Sequence, residues 1–177
     1  MVPGGCMVLS FMGRSSPDST SMDAGCQWEL LAEALMSMVY DGLIDEEKVN
    51  KFNAPYYAPC LEEVQLVVEK EGSFTTSRVE VLEVYWDKTN YKASSSSRNP
   101  TAPKPDPQSD TLRSEKLAVG QQVAKAHRAV VESMFQSHFG TNDDAMNELF
   151  RRYGEIVGSH LLSYETRYIN LVISLIR

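Results

Sequence analysis

What is scarce narrows the field before any motif is read. Among 177 residues there are three cysteines, Cys6, Cys26 and Cys60, with no C-x-x-C pair and no Cys/His ligand spacing. An odd count so arranged indicates neither a disulfide framework nor a structural zinc; reduced thiols in a cytosol-like compartment are the plain reading. No Lys/Arg run is present, and the net charge is −7. Without a basic face to displace phosphate counterions, nucleic acid is not an expected partner. No apolar run approaches the roughly 20 residues that cross a bilayer, and no basic stretch precedes the apolar start. No membrane partner is therefore expected, and a cytoplasmic location is. A glycine-rich loop between a strand and a helix, the usual nucleotide cradle, is missing as well: "PGG" at 3–5 precedes its strand and has the wrong spacing. No internal repeat is visible.

What is there suits one globular domain, with 42% hydrophobic and 23% charged residues. "VPGGCMVLSFM" reads as a turn and a short strand within 1–12, followed by a loop from Gly13 to Gly25. Trp28, Leu31, Ala32, Leu35, Met38 and Val39 then form one apolar helical stripe that Gly42 ends. "DEEK" at 45–48 is a solvated helical turn, and Leu61, Val64, Val67 and Val68 predict a helix closed by Gly72 in the left-handed conformation. The span 24–72 is thus mostly helical. Residues 74–86 read as a strand whose apolar phase changes near Val81, which predicts a bulge there. Residues 87–114, rich in Ser, Pro, Lys and Asp, read as a flexible linker.

Two helices are predicted over 115–161, broken near Gly140. One carries the stripe Val123, Ala124, His127, Val130, Val131, Met134, Phe135, the other Met146, Leu149, Phe150, Tyr153, Ile156, Val157. "RYINLVISLIR", within the closing strand at 166–177, is apolar on nearly both phases and predicts a strand buried on both faces. The class is α/β, but three strands leave the sheet incomplete, because a long exposed edge is a liability.

Six stretches, "VPGGCMVLSFMGR", "WELLAEALMSMVYDGLIDEEKVNKFNAPYYAP", "EKEGSF", "RAVVESMFQSHFG", "ELFRRYGEIVG" and "YINLVISLIR", cover almost everything but the linker. As a set they closely resemble the C-terminal half of the plant SABATH family of S-adenosyl-methionine-dependent carboxyl and N-methyltransferases. The resemblance implies an incomplete Rossmann-like class I methyltransferase sheet with an added α-helical cap over the acceptor pocket. It also implies that the other strands, and the S-adenosyl-methionine site in the main, belong to an amino-terminal half beyond these residues.

In that family an indole and a glutamine hold the acceptor carboxylate. Trp28 matches the indole, and the glutamine would lie outside this chain. An aromatic acid with a pKa of roughly 4 is already ionised in the cytosol, so methyl transfer to it needs orientation more than a general base. An indole N–H can only donate, which suits a carboxylate. Tyr57, in "KFNAPYYAP", matches a pocket aromatic, with flanking prolines keeping the backbone extended. His127 and Val130 match two pocket-wall positions, the first of them methionine in salicylate- and benzoate-type members. Gln27 and Tyr168 stand where those members have an aliphatic residue and a phenylalanine. The added polarity implies an acceptor more polar than salicylate or benzoate.

Some members bind magnesium through an acidic residue, a phenylalanine carbonyl and an asparagine. Asn50, Phe52 and Asn53 align with these, Asn50 being a neutral departure where hard cations prefer charge.

The residues by themselves admit plainer readings. Trp28 can be ordinary core, 50–53 an ordinary loop, and His127 a hydrogen-bonded core histidine; His138 and His160 read as structural or exposed. Three functions follow. The chain is expected to be the acceptor-binding half of an acid O-methyltransferase, inactive without its other half, with a small carboxylic acid as partner and homodimerisation open. The alternatives are a non-catalytic truncated paralogue acting as an interaction module, and an N-methyltransferase of a purine alkaloid.

Overall fold

Strict alternation builds the sheet. In β3, Arg167–Ile176, Ile169, Leu171, Ile173 and Leu175 are 1–3% exposed, while Tyr168, Asn170, Val172 and Ser174 on the other phase are half-buried. Residues two apart share a face of a strand, so β3 presents one fully apolar side, each side chain contributing roughly 1.5–3 kcal/mol by its burial. The sequence predicted burial on both faces; only one is fully buried. This strand is central, pairing antiparallel with β1, Cys6–Gly13, on one side and with β2, Thr75–Tyr85, on the other. Ser10 faces Val172, and Val81 faces Leu171. The two outer strands are therefore parallel to each other, and the helices between them in sequence form the long connection that parallel strands require.

This computed structural model describes residues 1–87 and 110–177. Four of the sequence expectations shift. Helix α1, Met22–Tyr40, begins before Gly25, inside the expected loop, with Asp23 in its first turn accepting the backbone N–H of Ser15 at 2.8 Å. A carboxylate there is favoured by the helix dipole. The register irregularity of β2 lies between Thr76 and Arg78, not near Val81, where pairing with β3 is continuous. Of the expected linker, 88–109 lies outside the described residues, whereas Asp110 already opens the 30-residue helix α4, Asp110–Phe139. Asp87, which composition placed in that linker, is buried beside Lys116.

The other elements follow the expected pattern. Helix α2, Glu46–Lys51, is capped by Asp45, whose side chain accepts from the Glu47 N–H at 2.9 Å. Helix α3, Leu61–Glu71, ends on Gly72 at φ 77°. Gly140 at φ 64° separates α4 from α5, Asp143–Ser163, and Asn142 caps the latter through the Ala145 N–H at 3.0 Å.

Two compact units result. One comprises 1–26, 55–85 and 167–177 and contains the sheet and α3; the other comprises 27–54 and 86–166 and contains most of α1 with α2, α4 and α5. In the helical unit, Leu31, Ala34, Leu35 and Met38 of α1, Val131 and Phe135 of α4, and Met146, Leu149, Tyr153 and Val157 of α5 make the core. Helices α4 and α5 approach through glycines, so closely that a Cβ on Gly120 would lie 2.2 Å from the Gly154 carbonyl oxygen.

Candidate acceptor site

A histidine on an apolar helix face must find a polar partner or stay neutral. His127, on the buried face of α4 between Ala124 and Val131, does both. Its Nδ1 lies 3.0 Å from the Tyr153 hydroxyl of α5, and its ring meets the Trp28 indole of α1 edge-on, with centroids 5.2 Å apart and planes at 80°. Burial pushes the imidazole down to about 4, so at neutral pH it carries no charge. Three helices thus converge on a Trp28–His127–Tyr153 cluster in which the indole is half-buried and the other two side chains are buried. Gln27, beside Trp28, is buried as well. Arg152 ties α5 to the end of α1, donating to the Ser37 carbonyl at 3.0 Å and pairing with Asp41 at 2.7 Å.

The remaining expected acceptor residues lie elsewhere. Val130, one turn along α4 from His127, is 71% exposed and takes no part in this buried cluster. Tyr57 and Tyr168 belong to the sheet-bearing unit. Tyr57 is exposed, with the Arg14 guanidinium 5.6 Å from its ring centroid. Tyr168 is half-buried, and its hydroxyl is pushed above the ordinary phenol range by burial, then by Tyr56 and Cys26 nearby.

The segment carrying Tyr57 is anchored by a residue that no motif singles out. Arg14, 3% exposed, donates to the carbonyls of Ala58 and Pro17 and to Glu63 Oε1 at 2.7 Å. Its ion pair and the Cys60 N–H hold Glu63 down to about 2.

The magnesium expectation does not match the donors present. Asn50 and Asn53 are exposed, and the Phe52 ring packs 4.8 Å from that of Phe135 and 5.1 Å from that of His138. Two amides and a carbonyl, on a segment that also carries Lys48 and Lys51, offer a hard dication no charged ligand. No cluster of three or more His, Cys, Asp or Glu suited to a metal occurs among the described residues. A glycine cradle for S-adenosyl-methionine is likewise not found among the described residues. The left-handed glycines, Gly4, Gly42, Gly72 and Gly140, include none between the end of a strand and the start of a helix.

A cleft of about 330 Å³ lined by Leu30, Glu33, Glu155, Ile156, Ser159 and His160 contains none of the expected residues. Its two carboxylates would repel an anionic acceptor.

Residues 1–177 match the family described as SAM dependent carboxyl methyltransferase. The chain belongs to that family. It is 52% identical to a Theobroma cacao protein named probable jasmonic acid carboxyl methyltransferase 2, and the match covers all of this chain and 43% of that protein. It is 39% identical to S-adenosyl-L-methionine:benzoic acid/salicylic acid carboxyl methyltransferase 1 of Petunia hybrida, over 99% of this chain and 42% of that one. Among solved structures, loganic acid methyltransferase with SAH is similar at a TM-score of 0.69 and 28% identity, over 99% of this chain and 43% of that chain. The chain therefore spans less than half the length of these carboxyl methyltransferases.

Tyr153 is the member of this cluster that the sequence did not single out. A signal for it was present: on the stripe Met146, Leu149, Phe150, Tyr153, Ile156, Val157 it alone carries a hydroxyl, and His127 needed one.

Proposed function

We propose that this chain is the acceptor-binding part of a methyltransferase that esterifies the carboxylate of a small acid, with S-adenosyl-methionine held by residues outside it. The supporting observation is the edge-on Trp28–His127 contact, which sets an indole, able only to donate, beside a neutral imidazole. An indole N–H can orient an ionised carboxyl group, and an already ionised nucleophile needs no base. Asn50, Phe52 and Asn53 have no part in this reading.

The acceptor is proposed to be of the jasmonate kind, an acid with a further polar group, in preference to benzoate or salicylate. Two facts favour it: the higher identity to the jasmonic acid protein, 52% against 39%, and the polar residues Gln27 and His127 at two expected wall positions.

The test joins this chain to the preceding part of the Theobroma cacao relative and compares Trp28→Phe with the parent. Replacing the indole by a ring without the N–H should raise the barrier by roughly 1 to 3 kcal/mol, read from kcat/KM with jasmonate. Unchanged kcat/KM would make Trp28 a core residue and remove the acceptor reading.

A further inference from the structure

The Tyr153–His127 hydrogen bond fixes more than a ring position. A neutral imidazole carries one proton, and whichever nitrogen accepts a hydrogen bond leaves the proton on the other. A phenol is a strong donor and a weak acceptor, so a phenol against an imidazole nitrogen at 3.0 Å favours O–H donation to Nδ1. Nε2 then bears the hydrogen. Among the described residues Nε2 has no hydrogen-bond partner, and it is not one of the enclosed unbonded atoms there. Trp28 stands against the same ring, so the indole and Nε2 belong to one surface.

We propose that Tyr153 is a positioning residue: its hydroxyl holds His127 as the Nε2–H tautomer, turning that part of the pocket wall into a hydrogen-bond donor for a ketone oxygen that the acid carries apart from its carboxylate. This rests on the acceptor reading above, and it assigns the polar group of the acceptor a chemical type: an oxygen that accepts. An amino or ammonium group would find no acceptor at an Nε2–H. Burial keeps the ring neutral, so the donor is a neutral N–H and its contribution is selective without attracting a second charge.

Two measurements test it. In the 177-residue chain, labelled at its three histidines, nitrogen–carbon NMR reads each tautomer directly. His138 serves as internal reference, because its Nε2 faces the Lys48 carbonyl at 2.8 Å and must carry the proton. His127 should show the same Nε2–H pattern, and Tyr153→Phe should turn it into a mixture. An Nδ1–H form in the parent, or an Nε2–H pattern unchanged in Tyr153→Phe, overturns the assignment.

In the fusion protein, (3-oxocyclopentyl)acetic acid and cyclopentylacetic acid differ only in the ketone. The parent should prefer the keto acid in kcat/KM by about tenfold, the discrimination expected of one neutral hydrogen bond, chiefly through KM. Tyr153→Phe and His127→Met should each bring that ratio close to one. A ratio that survives both substitutions overturns the proposal. Loss of all turnover on Trp28→Phe with an intact NMR tautomer leaves the tautomer standing, and sensitivity of neither ratio nor rate to Trp28 and His127 removes the acceptor site itself, so the two readings fail separately.

Discussion

Gly120→Ala adds one methyl group where α4 and α5 have no room for it. Its Cβ would lie 2.2 Å from the Gly154 carbonyl oxygen, 2.6 Å from the Gly158 nitrogen and 2.9 Å from the Gly158 Cα. All three are backbone atoms, and a comfortable carbon contact needs roughly 3.5 Å, so the two helices must separate by about 1 Å or more. Overpacking of this kind costs about 1–3 kcal/mol, and a backbone wall puts the cost at the upper end. Alanine returns about 1 kcal/mol through its helix propensity. The net loss should be about 2 kcal/mol, a fall in Tm of roughly 4–8 °C for a chain of this size.

Its two neighbours provide the controls. A Cβ on Gly158 would meet the Leu117 Cα at 2.9 Å and the Lys116 carbonyl oxygen at 3.1 Å, requiring a smaller adjustment. A Cβ on Gly154 meets only the end of the Gln121 side chain, at 2.6 Å, and Gln121 is exposed and can swing away. Thermal and urea unfolding followed by circular dichroism should rank Gly120→Ala as the most damaging and Gly158→Ala as milder. Gly154→Ala should be neutral or stabilised by up to about 1 kcal/mol. Equal losses at Gly120 and Gly154, or none at Gly120, would refute the close-packing argument.

Acid should destabilise the protein in two separable windows. His127 titrates at about 4 when folded and at its ordinary 6.5 when unfolded, so the unfolded state takes up the proton first; stability falls as pH drops from 6.5 toward 4, and His127→Met should flatten that part of the Tm–pH curve. Glu63 is depressed from 4.5 to about 2, so its contribution is complete above 4.5 and is lost as pH falls toward 2; Glu63→Gln should cost stability at pH 7 and nothing near pH 2. The buried Lys116–Asp87 pair should behave as a unit: Lys116→Met alone should cost about 3–5 kcal/mol in urea unfolding, and Lys116→Met with Asp87→Leu should recover most of it. Additive losses in the double variant would show that the two do not compensate each other.

Period and punctuation settled by themselves which segments are helix and which are strand. The stripes of α4 and α5, the left-handed glycines at Gly72 and Gly140, and the Asp45 cap are local physics, legible wherever a 3.6-residue repeat meets a residue that ends it. The quoted family stretches likewise pointed to the carboxyl methyltransferases before any fold was in view. Local signals failed where neighbours decide the outcome. Burial of one face of β3 depends on what covers the sheet, which alternation cannot say. The burial of Asp87 goes with its ion pair to Lys116, a residue 29 positions away, and composition carries no sign of that pairing. The same holds at the site. Trp28 and His127 could be named as candidates from the chain, but only the convergence of α1, α4 and α5 sets the Tyr153 hydroxyl against Nδ1 and leaves Nε2 facing away from it. A hydrogen bond between residues on different helices is a property of their crossing, and no pattern along one helix contains it.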